Sequence, residues 1–319
     1  MKDRRRQIIT FIVGVSAVFW VLKMEYQRAG SPPKPAPNPE LAGSYYQEGM
    51  IHLQKNELDQ ALASYQKALQ ENPRYADAYY GAGWIYYKKH QRNLALQNYS
   101  KALEVDPKYV NAYFGRGKIY QDGNQLDQAI KEYSQALKID PQYQVIYTNR
   151  GDAYYIKDDL ASALKDYQRA LELDPKDLSA LVHRGVVFEE QRKFEPALKD
   201  FNQALQMDPN RSEAYLNRGV LYKDQGKLDF ALRDYLKALE LEPKYPEAYY
   251  NLAWVHWQKG KLELALQEYG KAIELAPDFA WAYYERGLLQ KQLGNLKPSQ
   301  EDLQKAMELD KAFGKQPDP

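Results

Sequence analysis

The sequence predicts an all-α protein, a solenoid of eight helical hairpins preceded by one membrane-spanning helix. Two observations predict the solenoid: prolines recur every 34 residues, and small residues recur at fixed places between them. One observation predicts the membrane helix, an uncharged apolar run behind a basic N-terminal flank. A fixed repeat period decides the architecture before any local assignment does.

The N-terminal segment is predicted to anchor the chain in a membrane. Residues 1–7 form a basic flank, and residues 8–22 carry no charge. A helix of this length spans about 22 Å, shorter than the ~30 Å hydrocarbon core, but bilayer thinning or snorkelling of Arg6 and Lys23 covers the difference. A cleaved signal peptide is the alternative. Because no pair of small residues follows the run at the spacing of a cleavage site, we favour an uncleaved signal anchor.

The residues around the apolar run set the expected localisation. Slightly more Lys and Arg precede the run than follow it, so the positive-inside tendency places the N-terminus in the cytoplasm. We therefore expect a single-pass membrane protein with extracytoplasmic repeats. Residues 23–41 form a linker whose prolines, at 32, 33, 35, 37 and 39, favour stiff polyproline II structure.

The periodic prolines divide residues 42–313 into eight units, and residues 314–319 form a predicted disordered tail. Each proline from Pro73 to Pro277 takes position 32 of its unit, usually after an acidic residue, and ends the second helix. Position 8 is glycine in all units but one, and position 27 is always alanine. Residues this small let two helices approach closely, and large residues at positions 4 and 24 fill the spaces between them. The units are 42–75, 76–109, 110–143, 144–177, 178–211, 212–245, 246–279 and 280–313.

The turn inside each hairpin is predicted from residues that tolerate a left-handed backbone. Such residues stand between the two helices of five units: Asn56, Asn124, Gly226, Gly260 and Gly294. Pro196 and Pro298 fall in the first turn of a second helix, where a missing N–H is harmless.

Small residues at positions 8, 20 and 27, aromatic residues at 4, 11 and 24, and proline at 32 together resemble the tetratricopeptide repeat. The resemblance implies a right-handed α-solenoid and a general protein-binding scaffold. It also implies that positions 2, 5, 9, 12 and 13 face a groove; we call these the inner-lining positions. The last unit departs from the pattern, with Lys311 in place of the proline, as a capping unit does. No three consecutive units carry the Lys and Asn set with which chaperone-binding members grip a carboxylate, so a co-chaperone role is disfavoured.

The inner-lining positions carry two aromatic groups around a more polar middle that includes Glu189, Glu190 and Asp224. Aromatic side chains are frequent interface anchors, so we predict a groove for an extended or helical protein segment. Packing on adjacent helices is an equal alternative for the position 5 rings, whereas binding is favoured for the tryptophans at 84, 254 and 257. The candidate groove residues are Tyr46, Tyr80, Trp84, Tyr87, Lys118, Tyr155, Lys223, Tyr250, Trp254, Trp257, Trp281 and Tyr284.

Position 7 is arginine in five units, and position 23 of the same units is acidic. Because the hairpin turns near position 15, the two positions lie at similar height, and we hypothesise an ion pair between the helices. Separately solvated charges are the alternative. An exposed pair stabilises by only ~0–1 kcal/mol, so helix register is the expected benefit. The predicted pairs are Arg116 with Glu132, Arg150 with Asp166, Arg184 with Asp200, Arg218 with Asp234, and Arg286 with Asp302.

Composition argues against several function classes. The absence of cysteine removes disulfides, thiolate metal sites and cysteine nucleophiles. Residues 41–319 hold 37 basic and 40 acidic residues, a net charge of −3, which disfavours nucleic-acid binding. The four histidines show no metal spacing, and no phosphate loop or nucleophile group appears; His52 and His256 are interpreted as core substitutes at position 11. We expect no enzyme activity, cofactor, metal or small-molecule substrate.

These features predict a non-enzymatic, membrane-anchored adaptor. Its groove would hold a protein or peptide segment during assembly, transport or maturation of a membrane or envelope complex. The alternative is a regulatory or structural subunit that self-associates, or recruits an enzyme, through its outer face.

Overall fold

The protein is an all-α helical-repeat solenoid. The structure, a computed structural model, describes residues 38–311, and within that range the chain forms sixteen α-helices. In chain order they are α1 (Pro39–Gln54), α2 (Leu58–Glu71), α3 (Ala76–Lys88), α4 (Arg92–Val105), α5 (Val110–Asp122), α6 (Leu126–Ile139), α7 (Gln144–Ile156), α8 (Leu160–Leu173), α9 (Leu178–Glu190), α10 (Phe194–Met207), α11 (Ser212–Asp224), α12 (Leu228–Leu241), α13 (Pro246–Gln258), α14 (Leu262–Leu275), α15 (Ala280–Gln292) and α16 (Leu296–Leu309).

The chain divides into two compact units. The first runs to Ala112 and the second begins at Tyr113. In the first, α1 packs on α2, α2 on α3, and α3 on α4. In the second, from α6 onward, each helix likewise packs on its sequence neighbours, and the first helices α7, α9, α11 and α13 also contact one another in order. The fourth to seventh hairpins are therefore joined on their first-helix side as well as through their second helices.

The first helix begins three residues before the predicted first repeat. The side chain of Asn38 accepts a hydrogen bond from the Leu41 N–H at 3.1 Å, and Pro39 takes the first helical position. The linker predicted for residues 23–41 therefore reaches too far, because a capped helix tolerates the last proline. The flank 1–7, the apolar run 8–22, the rest of the linker and the tail 314–319 lie outside the described residues. Among residues 38–311, no helix is both long and apolar enough to cross a membrane.

The core of each hairpin pairs a small residue of the first helix with a large one of the second, as predicted. A Cβ added at Gly151 would lie 2.6 Å from Cε1 of Tyr167, a ring with no exposed surface. The same contact recurs in other hairpins, for example between Gly49 and Tyr65. The glycine is therefore required by close helix packing and not by an unusual backbone angle.

The turns inside the hairpins adopt the left-handed backbone predicted for them. Asn56 and Asn124 have φ of 60° and 56°, and the three predicted glycines range from 71° to 82°. His90, Asp158 and Arg192 take the same conformation with φ of 58°, 62° and 57°. These three side chains carry no local signal for a left-handed turn as clear as glycine, so the hairpin geometry imposes the conformation.

The acidic residue before each periodic proline has a defined role in four repeats. Oδ1 of Asp106 accepts a hydrogen bond from the Lys108 N–H at 2.9 Å. Asp140, Asp174 and Asp208 each accept the equivalent hydrogen bond from the backbone N–H two residues later, at 2.9, 2.9 and 3.0 Å. This arrangement is an Asx turn. It closes the loop that leads into the next repeat and explains why the motif reads Asp-Pro.

Candidate protein-binding site

The five arginines at position 7 each lie against the carboxylate sixteen residues later. In four repeats the contact is bidentate: Nε and Nη2 of Arg150 donate to Asp166 at 2.7 and 2.8 Å, and the pairs formed by Arg184, Arg218 and Arg286 have both contacts at 2.7–2.8 Å. The carboxylates are buried; the Asp166 side chain is 5% exposed. The arginine side chains are 18–24% exposed, so these are partly desolvated ion pairs, and the energetics of fully exposed pairs do not apply to them.

The pair in the third repeat is incomplete. Nη2 of Arg116 donates to Oε1 of Glu132 at 2.8 Å, but Arg116 Nε and Glu132 Oε2 are buried without a hydrogen-bond partner. Glutamate is one methylene longer than aspartate, which places its second oxygen away from the guanidinium. Burial raises the pKa of Glu132, and Arg116 opposes the shift.

Repeat seven replaces the arginine with a histidine from a different position. Leu252 occupies position 7 and is buried, while Nδ1 of His256 lies 2.7 Å from Oε2 of Glu268. His256 is 8% exposed, consistent with its interpretation as a core substitute. His52 is only partly buried and lies 2.6 Å from Glu57. Burial raises the pKa of Glu268, and the hydrogen bond from His256 lowers it.

Three of the four position 5 rings among the predicted groove residues pack on the protein's own core. The Tyr46 ring centroid lies 5.5 Å from that of Tyr65 and 5.2 Å from that of Tyr75. Tyr80 contacts two tyrosines of its repeat at 5.6 and 5.5 Å, and Tyr250 packs against Tyr269 and Phe279 at 5.8 and 5.0 Å. These three rings therefore pack within the chain, and a binding role for them stays a prediction.

The tryptophans and Tyr284 lie at the margin of that packing. Lys88 lies over the ring of half-buried Trp84, with Nζ 5.3 Å from the centroid. The Trp257 indole N–H donates to Gln292 at 2.8 Å. Trp281 is 45% exposed and meets Tyr284 edge-on at 6.1 Å. Part of each tryptophan ring therefore faces solvent, and Tyr87 is half-buried in the first unit.

The remaining groove candidates, Lys223, Tyr155 and Lys118, differ in the groups that they contact. Nζ of Lys223 lies 5.6 Å from the Trp254 ring centroid, 3.4 Å from Oδ1 of Asn251 and 4.0 Å from Oδ1 of Asp224. The Tyr155 hydroxyl donates to Glu190, and Lys118 is half-buried. Lys223 is thus an ammonium group enclosed by an indole ring, an amide and a carboxylate.

Sequence reasoning missed a charged cluster around His183. Its Nδ1 lies 2.7 Å from Asp152 Oδ1 and its Nε2 3.5 Å from Glu213 Oε1, and the Tyr167 hydroxyl donates to Asp152 at 2.8 Å. Burial favours the neutral imidazole, but the hydrogen bonds to Asp152 and Glu213 outweigh it and raise the pKa of His183 to about 10. Asp152 stands at position 9 of repeat four, His183 at position 6 of repeat five and Glu213 at position 2 of repeat six. An alignment of the 34-residue units that included position 6 would have shown the cluster.

A cavity of about 310 Å³ opens beside this cluster. It is lined by Asp152, Tyr155, Ile156, Tyr167, His183, Val186, Glu213 and Asn217. Within residues 38–311, no group of three His, Asp or Glu side chains is arranged to hold a metal ion. The charges of the cluster that face this cavity are paired with one another.

A family model described as the TPR repeat matches residues 49–90, 85–123, 117–158, 151–192, 190–226, 221–260 and 256–294, and a second, described as the tetratricopeptide repeat, matches residues 282–313. The chain belongs to the tetratricopeptide-repeat family. TPR proteins bind protein or peptide partners, and their fold is typically a non-catalytic interaction scaffold. No curated protein sequence matches the chain significantly.

Solved structures with the same TPR architecture span a wide range of sequences. The chain is 14% identical to a chain of the APC/C hetero-tetramer Cut9–Hcn1, with a TM-score of 0.65 over 80% of its own length, and spans only 50% of that chain. A tetratricopeptide-repeat protein of Parabacteroides merdae matches with a TM-score of 0.62 at 19% identity, over 82% of this chain and 99% of that one. YrrB, described as a TPR protein with an unusual peptide-binding site, is 26% identical with a TM-score of 0.50, over 61% of this chain and 97% of YrrB. The first two likenesses establish the fold alone.

Proposed function

We propose that this TPR protein is a non-enzymatic, membrane-anchored adaptor that binds a segment of a partner protein along its inner-lining positions. The observation that carries the proposal is the placement of the tryptophans. Trp254 and Trp257 are large, only half-buried, and held in position by Lys223 and Gln292. Rings that are fixed but not fully enclosed offer contact area at a low entropy cost, as interface anchors do.

The peptide-binding site named for YrrB supports this assignment, since the two chains share a fold at 26% identity. Membrane attachment rests on the apolar run 8–22 behind a basic flank. The charge balance around that run favours repeats on the extracytoplasmic side, where an adaptor would act on membrane or envelope complexes. Anchoring confines the partner's encounter with the scaffold to the membrane surface.

The test is partner capture from detergent extracts with the full-length chain. We expect the combined Trp254→Ala and Trp257→Ala variant to lose proteins that the unaltered chain captures. Phe230→Ala is the matched control, because Phe230 is an aromatic residue of a second helix with 48% of its surface exposed. It should capture the same proteins as the unaltered chain.

Circular dichroism must show that both variants keep the helical content of the unaltered chain. Unchanged capture by the double tryptophan variant would contradict binding at the inner-lining positions. Loss of capture by Phe230→Ala alone would instead place the binding surface on the second helices, as a self-associating or recruiting subunit requires.

A further inference from the structure

Consecutive hairpins are joined by one apolar contact that recurs along the array. The side chain at position 10 of a first helix clusters with positions 17, 20, 21 and 24 of the preceding second helix. In the first unit, Ile85 clusters in this way with Leu58, Ala61, Leu62 and Tyr65. In the second unit four residues at position 10 do the same: Val187, Leu221, Val255 and Leu289. We call this contact the inter-repeat joint.

The position 10 side chain is enclosed in every repeat except the first. In repeats two to eight this residue has only 0–4% of its surface exposed. In repeat one it is Ile51, and 51% of its surface is exposed. No helix of residues 38–311 precedes α1. The first helix therefore presents to solvent the side chain that forms the inter-repeat joint everywhere else.

The other half of the joint is open on α16, the last second helix. Position 24 is an aromatic residue with at most 2% of its surface exposed in repeats one to seven, but in repeat eight it is Leu303, which is half-buried. Leu296 at position 17 is 63% exposed. Met307 at position 28 is 42% exposed, whereas the leucines at that position in repeats two to five are 7–9% exposed. The pocket that receives a position 10 side chain is therefore empty in the described part of the chain.

The two end faces are only partly polar. The face of α1 that carries Ile51 also carries Ser44, Glu48 and Lys55, at positions 3, 7 and 14. On α16, Gln300 replaces the leucine or isoleucine that stands at position 21 in the other repeats. Terminal repeats of a linear array are expected to have a polar outer face. The apolar residues that remain on both ends therefore gain free energy when they are covered.

We propose that copies of this chain associate end to end, with α1 of one copy packed on α16 of the next as a first helix packs on the preceding second helix. Ile51 of one copy then enters the pocket that Leu296, Gln300 and Leu303 form in the other. The two halves of the contact differ, so the association is heterologous and each copy has one face of each kind. This inference goes beyond the proposed function and does not depend on it.

The polar positions on the inner-lining side of the joint are complementary. Inside the chain, the Trp257 indole at position 12 donates to Gln292 at position 13 of the next repeat. In the end-to-end contact, Lys291 at position 12 of repeat eight meets Gln54 at position 13 of the second copy. The lysine ammonium only donates hydrogen bonds, and the amide oxygen of glutamine accepts them. The contact therefore gains a hydrogen bond at this place.

The polar positions on the second-helix side are also complementary. Inside the chain, Arg150 at position 7 donates to Ser134 at position 25 of the preceding repeat. In the end-to-end contact, Glu48 at position 7 meets Gln304 at position 25 of the other copy. The carboxylate accepts a hydrogen bond that the glutamine amide donates.

One pair of positions opposes the contact. Inside the chain, a lysine at position 14 pairs with an aspartate at position 18 of the preceding repeat in three places: Lys89 with Asp59, Lys157 with Asp127, and Lys259 with Asp229. End to end, Lys55 meets Lys297 instead. The Lys297 side chain is 88% exposed, so water screens most of this repulsion. Together with the polar Gln300, it makes the contact between copies weaker than an internal joint, and the association reversible.

Sedimentation velocity of the full-length chain in detergent tests the proposal. The weight-average mass should rise with protein concentration, up to about 100 μM. Ile51→Glu removes one half of the contact, and the double variant Leu296→Glu, Met307→Glu removes the other. Each should weaken association by at least about ten-fold, because a charge replaces an apolar side chain in the contact.

The control is Leu264→Glu, which places a glutamate at a leucine of α14 that is 43% exposed. It should associate like the unaltered chain, and circular dichroism must show equal helical content in all variants. A chain that stays monomeric at every concentration would overturn the proposal, and residues outside 38–311 would then cover the two faces. Undiminished association of Ile51→Glu would overturn it as well.

Mixing the two defective proteins identifies the end-to-end arrangement. The Ile51→Glu chain keeps an intact α16 face, and the Leu296→Glu, Met307→Glu chain keeps an intact α1 face. Each should sediment as a monomer alone, and an equal mixture should form a dimer, since one intact contact remains between unlike copies. A mixture that stays monomeric would contradict the heterologous contact, as a symmetric interface or association through the N-terminal segment predicts no such rescue.

A charge reversal tests the alignment of the two helices. Lys297→Asp places an aspartate opposite Lys55, as in the three internal pairs, and should tighten self-association severalfold. Equal or weaker association would refute this alignment. The Trp254→Ala, Trp257→Ala variant should self-associate like the unaltered chain, so loss of partner capture in that variant and failure of end-to-end association are separate outcomes.

Discussion

Replacing Arg150 tests whether its buried ion pair holds the two helices of repeat four together. The Asp166 side chain is 5% exposed and accepts two hydrogen bonds from the guanidinium. In Arg150→Met this carboxylate stays buried without a counter-charge, which should cost about 3–5 kcal/mol of unfolding free energy. In the double variant with Asp166→Leu, both charges are replaced by apolar groups, and most of that loss should be recovered. The expected coupling energy is about 2–4 kcal/mol.

Urea unfolding followed by circular dichroism, on the four proteins of the double-mutant cycle, measures this coupling. The exposed pair between Lys259 and Asp229, at 2.7 Å, is the matched control and should show almost no coupling because water solvates both groups. A coupling of less than about 0.5 kcal/mol for Arg150 and Asp166, in the range of exposed pairs, would refute the reasoning.

Three further predictions concern packing, titration and anchoring. Gly151→Ala should destabilise by about 1–3 kcal/mol in urea unfolding, because its Cβ would overlap the buried Tyr167 ring, whereas Gly43→Ala, with nothing within 4 Å, should stabilise through helix propensity. His183 has a pKa raised from about 6.5 to about 10, so its contribution to stability should be complete below pH 6.5 and lost as pH rises to 10; His183→Gln should remove that loss from thermal midpoints measured across the range. Val15→Lys places a charge inside the apolar run, at a cost of about 3 kcal/mol to insertion, and should shift the full-length chain from the membrane to the supernatant on alkaline extraction; retention would contradict the anchor.

The repeat period predicted much of the fold because every hairpin shares one backbone geometry. Knowing position 8 and position 24 was enough to place Gly151 against Tyr167, and the mirror relation of positions 7 and 23 was enough to align Arg150 with Asp166. The period shows which residues of the two helices face each other. It does not show whether a longer side chain, such as that of Glu132, still fits the fixed distance between the helices. The unpartnered oxygen of Glu132 and the burial of the carboxylates therefore required coordinates.

The candidate site was harder to predict, because alignment shows which residues share a position and not what each one touches. A tyrosine at position 5 looks the same in an alignment whatever it contacts, and only the coordinates show that the Tyr250 ring packs on Phe279.

Two of the position 7 arginines also contact the preceding hairpin. Arg150 donates to Ser134 at 2.9 Å and Arg218 to Asn202 at 2.7 Å, each in the preceding hairpin. In a linear array, such nearest-neighbour links determine how far unfolding spreads from an end. Repeats one and two have no arginine at this position. Mechanical tension applied at the N-terminal end of the array would therefore unfold these two hairpins before the arginine-linked ones, so that repeats one and two would be the part of the array that extends first under load.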